Sequence, residues 1–170
     1  MSENIIKALK TAIRIEKEGL RAYLKLAKET KDETSKNMFI ILADDELTHL
    51  EILQEQLEEH AENNKWKKVQ IEESQIQKIM PKIGENMIKR KGKEGIEQID
   101  ALKVAIQMEK DSMAFYTQQM NDIDDTAMKD LFRILAEMEE AHYKIQEAEL
   151  DHIQGNGFWF NIQEFSLEAD

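Results

Sequence analysis

The chain has 170 residues, a net charge of −12 and no cysteine. This length predicts one domain, 1–170, with room for a buried core. The lack of cysteine excludes disulfides, thiol nucleophiles and thiolate-bound metal sites, and the acidic charge argues against a nucleic-acid partner, which requires clustered Lys and Arg. The N-terminal residues lack the pattern of a signal peptide, and no stretch is apolar enough to cross a membrane. We therefore expect a cytoplasmic protein without a membrane partner.

Apolar residues recur with a helical period along most of the chain, which predicts four long helices. The first helix is expected over 4–29 and the second from a capping box at Thr30–Glu33 to Glu62. The third is expected over 95–121, and the fourth begins after the loop 122–125, whose aspartates are natural N-caps. The predicted fold is an all-α four-helix bundle with a long crossover between helices 2 and 3. Its segments are a hairpin at 4–62, a crossover at 63–93 with one helix bent or broken near Pro81, a hairpin at 94–152, and an aromatic C-terminal tail at 153–170 that packs on the bundle or on a neighbouring subunit.

The two predicted hairpins are copies of one another. Shifting the sequence by 93 residues (101 − 8) places residues 8–23 over 101–116 and residues 38–53 over 131–146 without a gap. Several matched positions are polar although they fall within the apolar stripes. These pairs are Glu16 with Glu109, Tyr23 with Tyr116, Glu46 with Glu139, and His49 with His142.

The matched polar residues predict a dinuclear metal site. Glu46 and His49 stand one helical turn apart on one face, as do Glu139 and His142. Together with Glu16 and Glu109 they would place four carboxylates in the core, and buried charges require partners. Two divalent cations (+4) balance four carboxylates (−4), which is the di-iron carboxylate pattern.

In this interpretation Glu46 and Glu139 bridge the two ions, Glu16 and Glu109 are terminal ligands, and each histidine holds one ion. Oxygen and nitrogen ligands without thiolate favour iron, with manganese or zinc as substitutes.

Tyr23 and Tyr116 follow the terminal glutamates by two turns, so we interpret them as hydroxyl donors that orient carboxylates and thereby support catalysis. Simple core packing is the alternative for both. Asp45 is a weak candidate to hold the His49 imidazole, because its repeat equivalent is Met138. A third Glu-x-x-His, Glu149 to His152, is assigned to a solvated helix end, and His60 to the surface.

With these residues in place, the sequence resembles the ferritin-like superfamily, and more closely its rubrerythrin-like branch without the rubredoxin domain. The resemblance covers residues 4–62 and 94–152 and includes all six ligands. It implies a four-helix bundle with two iron ions and no haem, in a dimer or larger homo-oligomer. It also implies oxidation of the diferrous centre by hydrogen peroxide or dioxygen, for protection against oxidative stress.

The departures from the family pattern concern electron supply and peroxide cycling. Full rubrerythrins carry a rubredoxin domain whose iron is held by cysteines, so here an external donor such as rubredoxin is expected. The extra glutamate that rubrerythrins carry one turn after the third-helix ligand is Ser112 here, and the haem-binding methionine of bacterioferritins is Leu47.

Four functions therefore remain open: a di-iron oxidoreductase, a ferroxidase for iron handling or storage, a structural bundle or interaction module without catalysis, and an oxygenase that acts on an organic substrate.

Overall fold

The computed structural model describes residues 2–69, 76 and 96–154. Within these ranges the chain forms four helices and no strand, which confirms the all-α prediction. They are α1 (Ser2–Glu29), α2 (Glu33–Asn63), α3 (Ile96–Asp122) and α4 (Thr126–Ile153). None of these helices is long and apolar enough to cross a membrane. The predicted crossover helix near Pro81 and the aromatic tail lie outside the described residues.

The helices pack as two hairpins, α1 with α2 and α3 with α4, and the hairpins meet where α1 contacts α3 and α2 contacts α4. Two apolar clusters fill the core. One includes Leu26, Phe39, Leu42 and Leu102, and the other includes Leu9, Leu53, Phe132 and Leu135. On every helix a polar segment separates the positions belonging to the two clusters. The interior is therefore two apolar layers with a polar layer between them.

The second helix of each hairpin begins at an aspartate cap. The Asp32 side chain accepts a hydrogen bond from the Ser35 N–H at 3.0 Å, and the Asp125 side chain accepts one from the Met128 N–H at 3.1 Å. These caps are repeat equivalents (32 + 93 = 125). The predicted capping box was misplaced by two residues, because the Thr30 N–H still bonds the carbonyl of Leu26 and so completes the last turn of α1.

Replacing Asp32 by alanine is expected to lower the free energy of unfolding by about 0.5–2 kcal/mol, the usual contribution of an N-cap. Urea unfolding of the metal-free protein measures the change. Asp44→Ala is the control, because Asp44 is exposed in the middle of α2 and caps nothing. Equal losses in the two variants would contradict the assignment of Asp32 as the cap.

Two predicted surface residues are less exposed than expected. Glu149 is fully buried, and the Ser35 hydroxyl at the start of α2 donates a hydrogen bond to it. Ten residues rotate Glu149 about 80° away from Glu139 around α4, which places it on the flank that packs against α2. His60 is half-buried because its ring stacks on Trp66, with centroids 3.9 Å apart. The side chain of His152 lies outside the described part of the chain.

Candidate metal centre

The polar layer consists of the six residues singled out by the repeat. Every one is at most 3% exposed. Each hairpin contributes a single glutamate from its first helix and a Glu-x-x-His pair from its second. They are Glu16 on α1, Glu46 and His49 on α2, Glu109 on α3, and Glu139 and His142 on α4. The fold thus brings these residues together in the middle of the bundle, although they lie up to 126 positions apart in the sequence (142 − 16).

The six residues form two overlapping groups of four. In each group, one carboxylate oxygen or imidazole nitrogen per residue lies within 4.8 Å of the other three. Glu46 and Glu139 belong to both groups. Glu16 and His49 complete one group, which we call the His49 position, and Glu109 and His142 complete the other, the His142 position.

Each imidazole directs its Nδ1 atom at carboxylates. Nδ1 of His49 lies 3.2 Å from a Glu16 oxygen and 3.3 Å from a Glu139 oxygen. Nδ1 of His142 lies 3.3 Å from a Glu46 oxygen and 3.9 Å from a Glu109 oxygen. The two rings lie nearly parallel, with centroids 5.6 Å apart. Both rings therefore present a nitrogen to the same small volume.

Burial of so many carboxylates shifts their proton affinities in the metal-free chain. Burial raises the pKa of Glu46 well above its usual value, and the charges of Glu16 and Glu139 raise it further. Burial and the Glu139 carboxylate likewise raise the pKa of Glu109. Burial lowers the pKa of His49, but Glu16 and Glu139 outweigh this effect and raise it to about 10. The metal-free cluster therefore retains protons at neutral pH.

The buried atoms fit a pair of metal ions. Among the described residues, Oε2 of Glu109, Oε1 of Glu139 and Nδ1 of His142 are buried without a hydrogen-bond partner. Buried polar atoms normally have hydrogen-bond partners, so several unpaired atoms within one cluster indicate a bound ligand. Four carboxylates and two imidazoles without thiolate match hard or borderline cations such as iron and manganese. The cluster is therefore compatible with a di-iron site.

The two tyrosines contact the cluster differently. The Tyr116 hydroxyl donates a hydrogen bond to Glu16. The Tyr23 hydroxyl is 2.6 Å from the Gln146 amide nitrogen, which also donates to Glu109 at 3.2 Å. Tyr116 thus orients a carboxylate directly, whereas Tyr23 acts through Gln146. Burial raises the pKa of Tyr116 well above its usual value, as does the Glu16 charge, so this hydroxyl keeps its proton.

Asp45 contacts a histidine of the opposite hairpin. Its Oδ2 lies 3.0 Å from Nε2 of His142 on α4. The predicted contact with His49, one turn along the same helix, was wrong, because the Asp45 carboxylate reaches across the bundle instead. An acceptor on Nε2 leaves Nδ1 of His142 free to bind a metal ion.

A glycine in the middle of α1 makes room for one of the shared carboxylates. A Cβ atom on Gly19 would lie 2.8 Å from Oε2 and 3.0 Å from Cδ of Glu46. Gly19 also lines a small pocket beside the cluster, together with small residues such as Ala22, Ala105 and Ser112. Glycine inside a helix lowers stability by about 0.5–1 kcal/mol relative to alanine. Gly19 therefore does not favour the helix, but it leaves the space that the Glu46 carboxylate occupies.

Gly19→Ala is expected to weaken metal binding about tenfold or more, because the new methyl group must displace Glu46, and misplaced ligand supports cost 10–100-fold. Calorimetric titration of the metal-free protein with Co²⁺ measures this change. Ser112→Ala, at the repeat-equivalent position in α3, is the control that adds no atoms. Unchanged affinity in Gly19→Ala would show that Glu46 needs no such space.

Gln146 and Gly19 were not predicted from the sequence, and Asp45 was assigned to the other histidine. All three stand where the internal repeat breaks: Gln146 matches Leu53, Gly19 matches Ser112, and Asp45 matches Met138. A break in the repeat beside a matched ligand was therefore the signal that could have found them.

Comparison with known proteins agrees with this arrangement. A hypothetical protein from Pyrococcus furiosus has a similar structure, with a TM-score of 0.67 and 23% identity over 91% of this chain and 93% of that chain. This likeness supports the fold alone. No curated protein matches the sequence. The model of the Rubrerythrin family matches residues 7–150, which include all six residues of the cluster. The chain therefore belongs to the rubrerythrin family.

Proposed function

We propose that this protein is a non-haem di-iron oxidoreductase whose diferrous centre is oxidised by hydrogen peroxide or dioxygen. The observation that carries the proposal is the pair of overlapping, fully buried ligand groups that share Glu46 and Glu139. Two ions held by common carboxylates would lie close enough to act on one small oxidant. Removal of such oxidants would make the protein protective under oxidative stress.

The residues of the chain have distinct tasks in this proposal. Glu46 and Glu139 would each hold both ions, while Glu16 with His49 and Glu109 with His142 would each complete one position. Tyr116 holds Glu16, and Gln146 holds Glu109, so both terminal carboxylates keep fixed orientations. When bound, two Fe²⁺ ions supply one electron each, which together with two protons reduce hydrogen peroxide to two water molecules.

The pocket beside the cluster favours a small oxidant. The carboxylates of Glu46, Glu109 and Glu139 line it together with small residues around Gly19. Its cavity volume is about 10 Å³, which is about the volume that a cavity needs to hold one water molecule. A space of this size suits a small oxidant such as hydrogen peroxide or dioxygen better than an organic substrate.

The sequence contains no cysteine and so provides no thiolate-bound iron to reduce the centre. We therefore propose an external electron donor such as rubredoxin.

Ferroxidase activity for iron handling or storage is the second candidate. It is favoured by the symmetry of the six ligands, because both positions carry one terminal glutamate and one histidine. The net charge of −12 would also attract Fe²⁺.

Stopped-flow mixing of the diferrous protein with peroxide and, separately, with dioxygen tests the proposal. The expected result is oxidation that peroxide drives much faster than dioxygen, followed by re-reduction by a small electron donor. Binding of many more than two iron ions per chain would favour iron storage instead. Inertness to both oxidants would contradict both candidates.

A further inference from the structure

The two histidines of the cluster differ in what holds their outer nitrogen. Nε2 of His142 lies 3.0 Å from Oδ2 of Asp45, and both residues are buried. Nε2 of His49 is also buried, but it has no hydrogen-bond partner among residues 2–69, 76 and 96–154. Within the described part of the chain, the near-symmetric cluster therefore contains one anchored imidazole and one imidazole without an anchor.

The cause of this difference lies in the sequence. The repeat equivalent of Asp45 is Met138 (45 + 93 = 138), which is 2% exposed and therefore packed in the core. A thioether is only a weak hydrogen-bond acceptor. The first hairpin thus supplies an aspartate that anchors His142, but the second hairpin has no aspartate at the equivalent position to anchor His49.

The terminal carboxylates differ as well. Glu109, which accompanies His142, accepts a hydrogen bond from the Gln146 amide. The repeat equivalent of Gln146 is Leu53, and Glu16 is held by the Tyr116 hydroxyl instead. The two halves of the site therefore share their ligand types but not the groups that orient those ligands.

We propose that the two metal positions are inequivalent and that Asp45 is the positioning residue that makes the His142 position the tighter one. The inference rests on the proposed metal centre. A metal ion on Nδ1 requires the proton to sit on Nε2. Asp45 accepts the hydrogen bond of that N–H at His142 and so fixes both tautomer and ring orientation, whereas no residue that the structure describes accepts one from the N–H of His49. Loss of such an anchor typically lowers metal affinity about 10–100-fold.

The test is an anaerobic calorimetric titration of the full metal-free chain with Co²⁺. Repulsion between two divalent ions separates two binding steps in any dinuclear site, so the decisive result is which half of the site each step belongs to. His142→Ala and His49→Ala each leave one position, which then binds a single ion without repulsion from a second. The position left in His49→Ala should bind Co²⁺ more tightly than the position left in His142→Ala. Equal affinities, or the reverse order, would overturn the inference.

Asp45→Asn provides the direct test of the anchor, and Asp44→Asn is its matched control, since Asp44 is the exposed neighbour on the same helix. Asp45→Asn should weaken the tight step about 10–100-fold and leave the weak step unchanged, while Asp44→Asn should change neither. Equal weakening of both steps, or no weakening, would overturn the inference while leaving the metal centre intact. Failure of the unmodified chain to bind Co²⁺ would instead contradict the proposed function itself.

Discussion

Replacing Glu46 and Glu139 together by glutamine is expected to remove both metal ions from the chain. These residues belong to both groups of potential ligands, so each position would lose two of its four carboxylate or imidazole groups. A neutral amide oxygen is a poorer ligand for a divalent ion, and the charge that balances the ions would fall from −4 to −2. Metal analysis of anaerobically purified protein should give two ions per chain in the unmodified protein and none in the variant.

The matched control for this experiment is Glu51→Gln with Glu58→Gln. Both control positions are exposed on α2, and the change in net charge is the same. The control should keep its full metal content. If the variant with Glu46→Gln and Glu139→Gln also retained its metal, the cluster would not be the binding site. That result would favour a structural bundle without catalysis.

The single variant Glu46→Gln should also stabilise the metal-free protein. Burial raises the pKa of Glu46, as do the charges of Glu16 and Glu139, so the folded chain favours the neutral form of this side chain. Glutamine reproduces that neutral form. We expect the free energy of unfolding at neutral pH to rise by about 1–3 kcal/mol, the cost of a buried polar group without full partners. Urea unfolding in the presence of a chelator measures the change.

Metal affinity is expected to fall steeply as the pH is lowered. The pKa values of Glu46 and Glu109 lie well above the usual 4.5, mainly because both carboxyls are buried, and that of His49 is raised to about 10 by Glu16 and Glu139. At neutral pH His49 therefore holds a proton, and the two carboxyls keep their protons to a higher pH than ordinary glutamates do, so metal ions must displace protons. Each displaced proton changes the affinity about tenfold per pH unit.

The same shifts give the sign of the effect on stability. Below pH 4.5 Glu46 and Glu109 are protonated in both the folded and the unfolded chain, so they do not favour either state. As the pH rises above 4.5, the unfolded chain loses these protons while the folded chain keeps them, and their contribution to stability becomes increasingly unfavourable. Metal binding reverses this trend, because the ions stabilise the ionised carboxylates.

Co²⁺ titrations at several pH values, in buffers with different heats of ionisation, give both the affinity and the number of protons released. The account predicts proton release and tighter binding at about pH 8 than at about pH 6. Binding without proton release, at an affinity independent of pH, would contradict the proposed protonation of the metal-free cluster.

The hairpins and the positions of the six polar residues could be predicted because they depend on periodicity within one helix. Glu46 and His49 share a face through their spacing alone, and the repeat supplies the same face on α4. The N-cap at Asp125 follows from residue type in the same way.

Contacts between hairpins depend instead on the angle and register at which helices pack, which spacing within one helix does not determine. Asp45 therefore could not be paired with His142 from the sequence, since the nearest histidine along its own helix is His49. The roles of Gln146 and Gly19 could not be predicted for the same reason. Gln146 contacts Tyr23 and Glu109 on other helices, and Gly19 leaves room for Glu46 on the neighbouring helix. Glu149 was wrongly assigned to a solvated helix end, because the buried face of α4 is wide enough to include the side of the helix on which Glu149 lies.

The most direct test of the central claim is anomalous diffraction, at the iron absorption edge, from crystals of the chain loaded with Fe²⁺ without oxygen. The account predicts two iron peaks within the polar layer. One should lie between Glu16 and His49, the other between Glu109 and His142, and both should contact Glu46 and Glu139. Iron peaks elsewhere on the chain, or none within this layer, would contradict it.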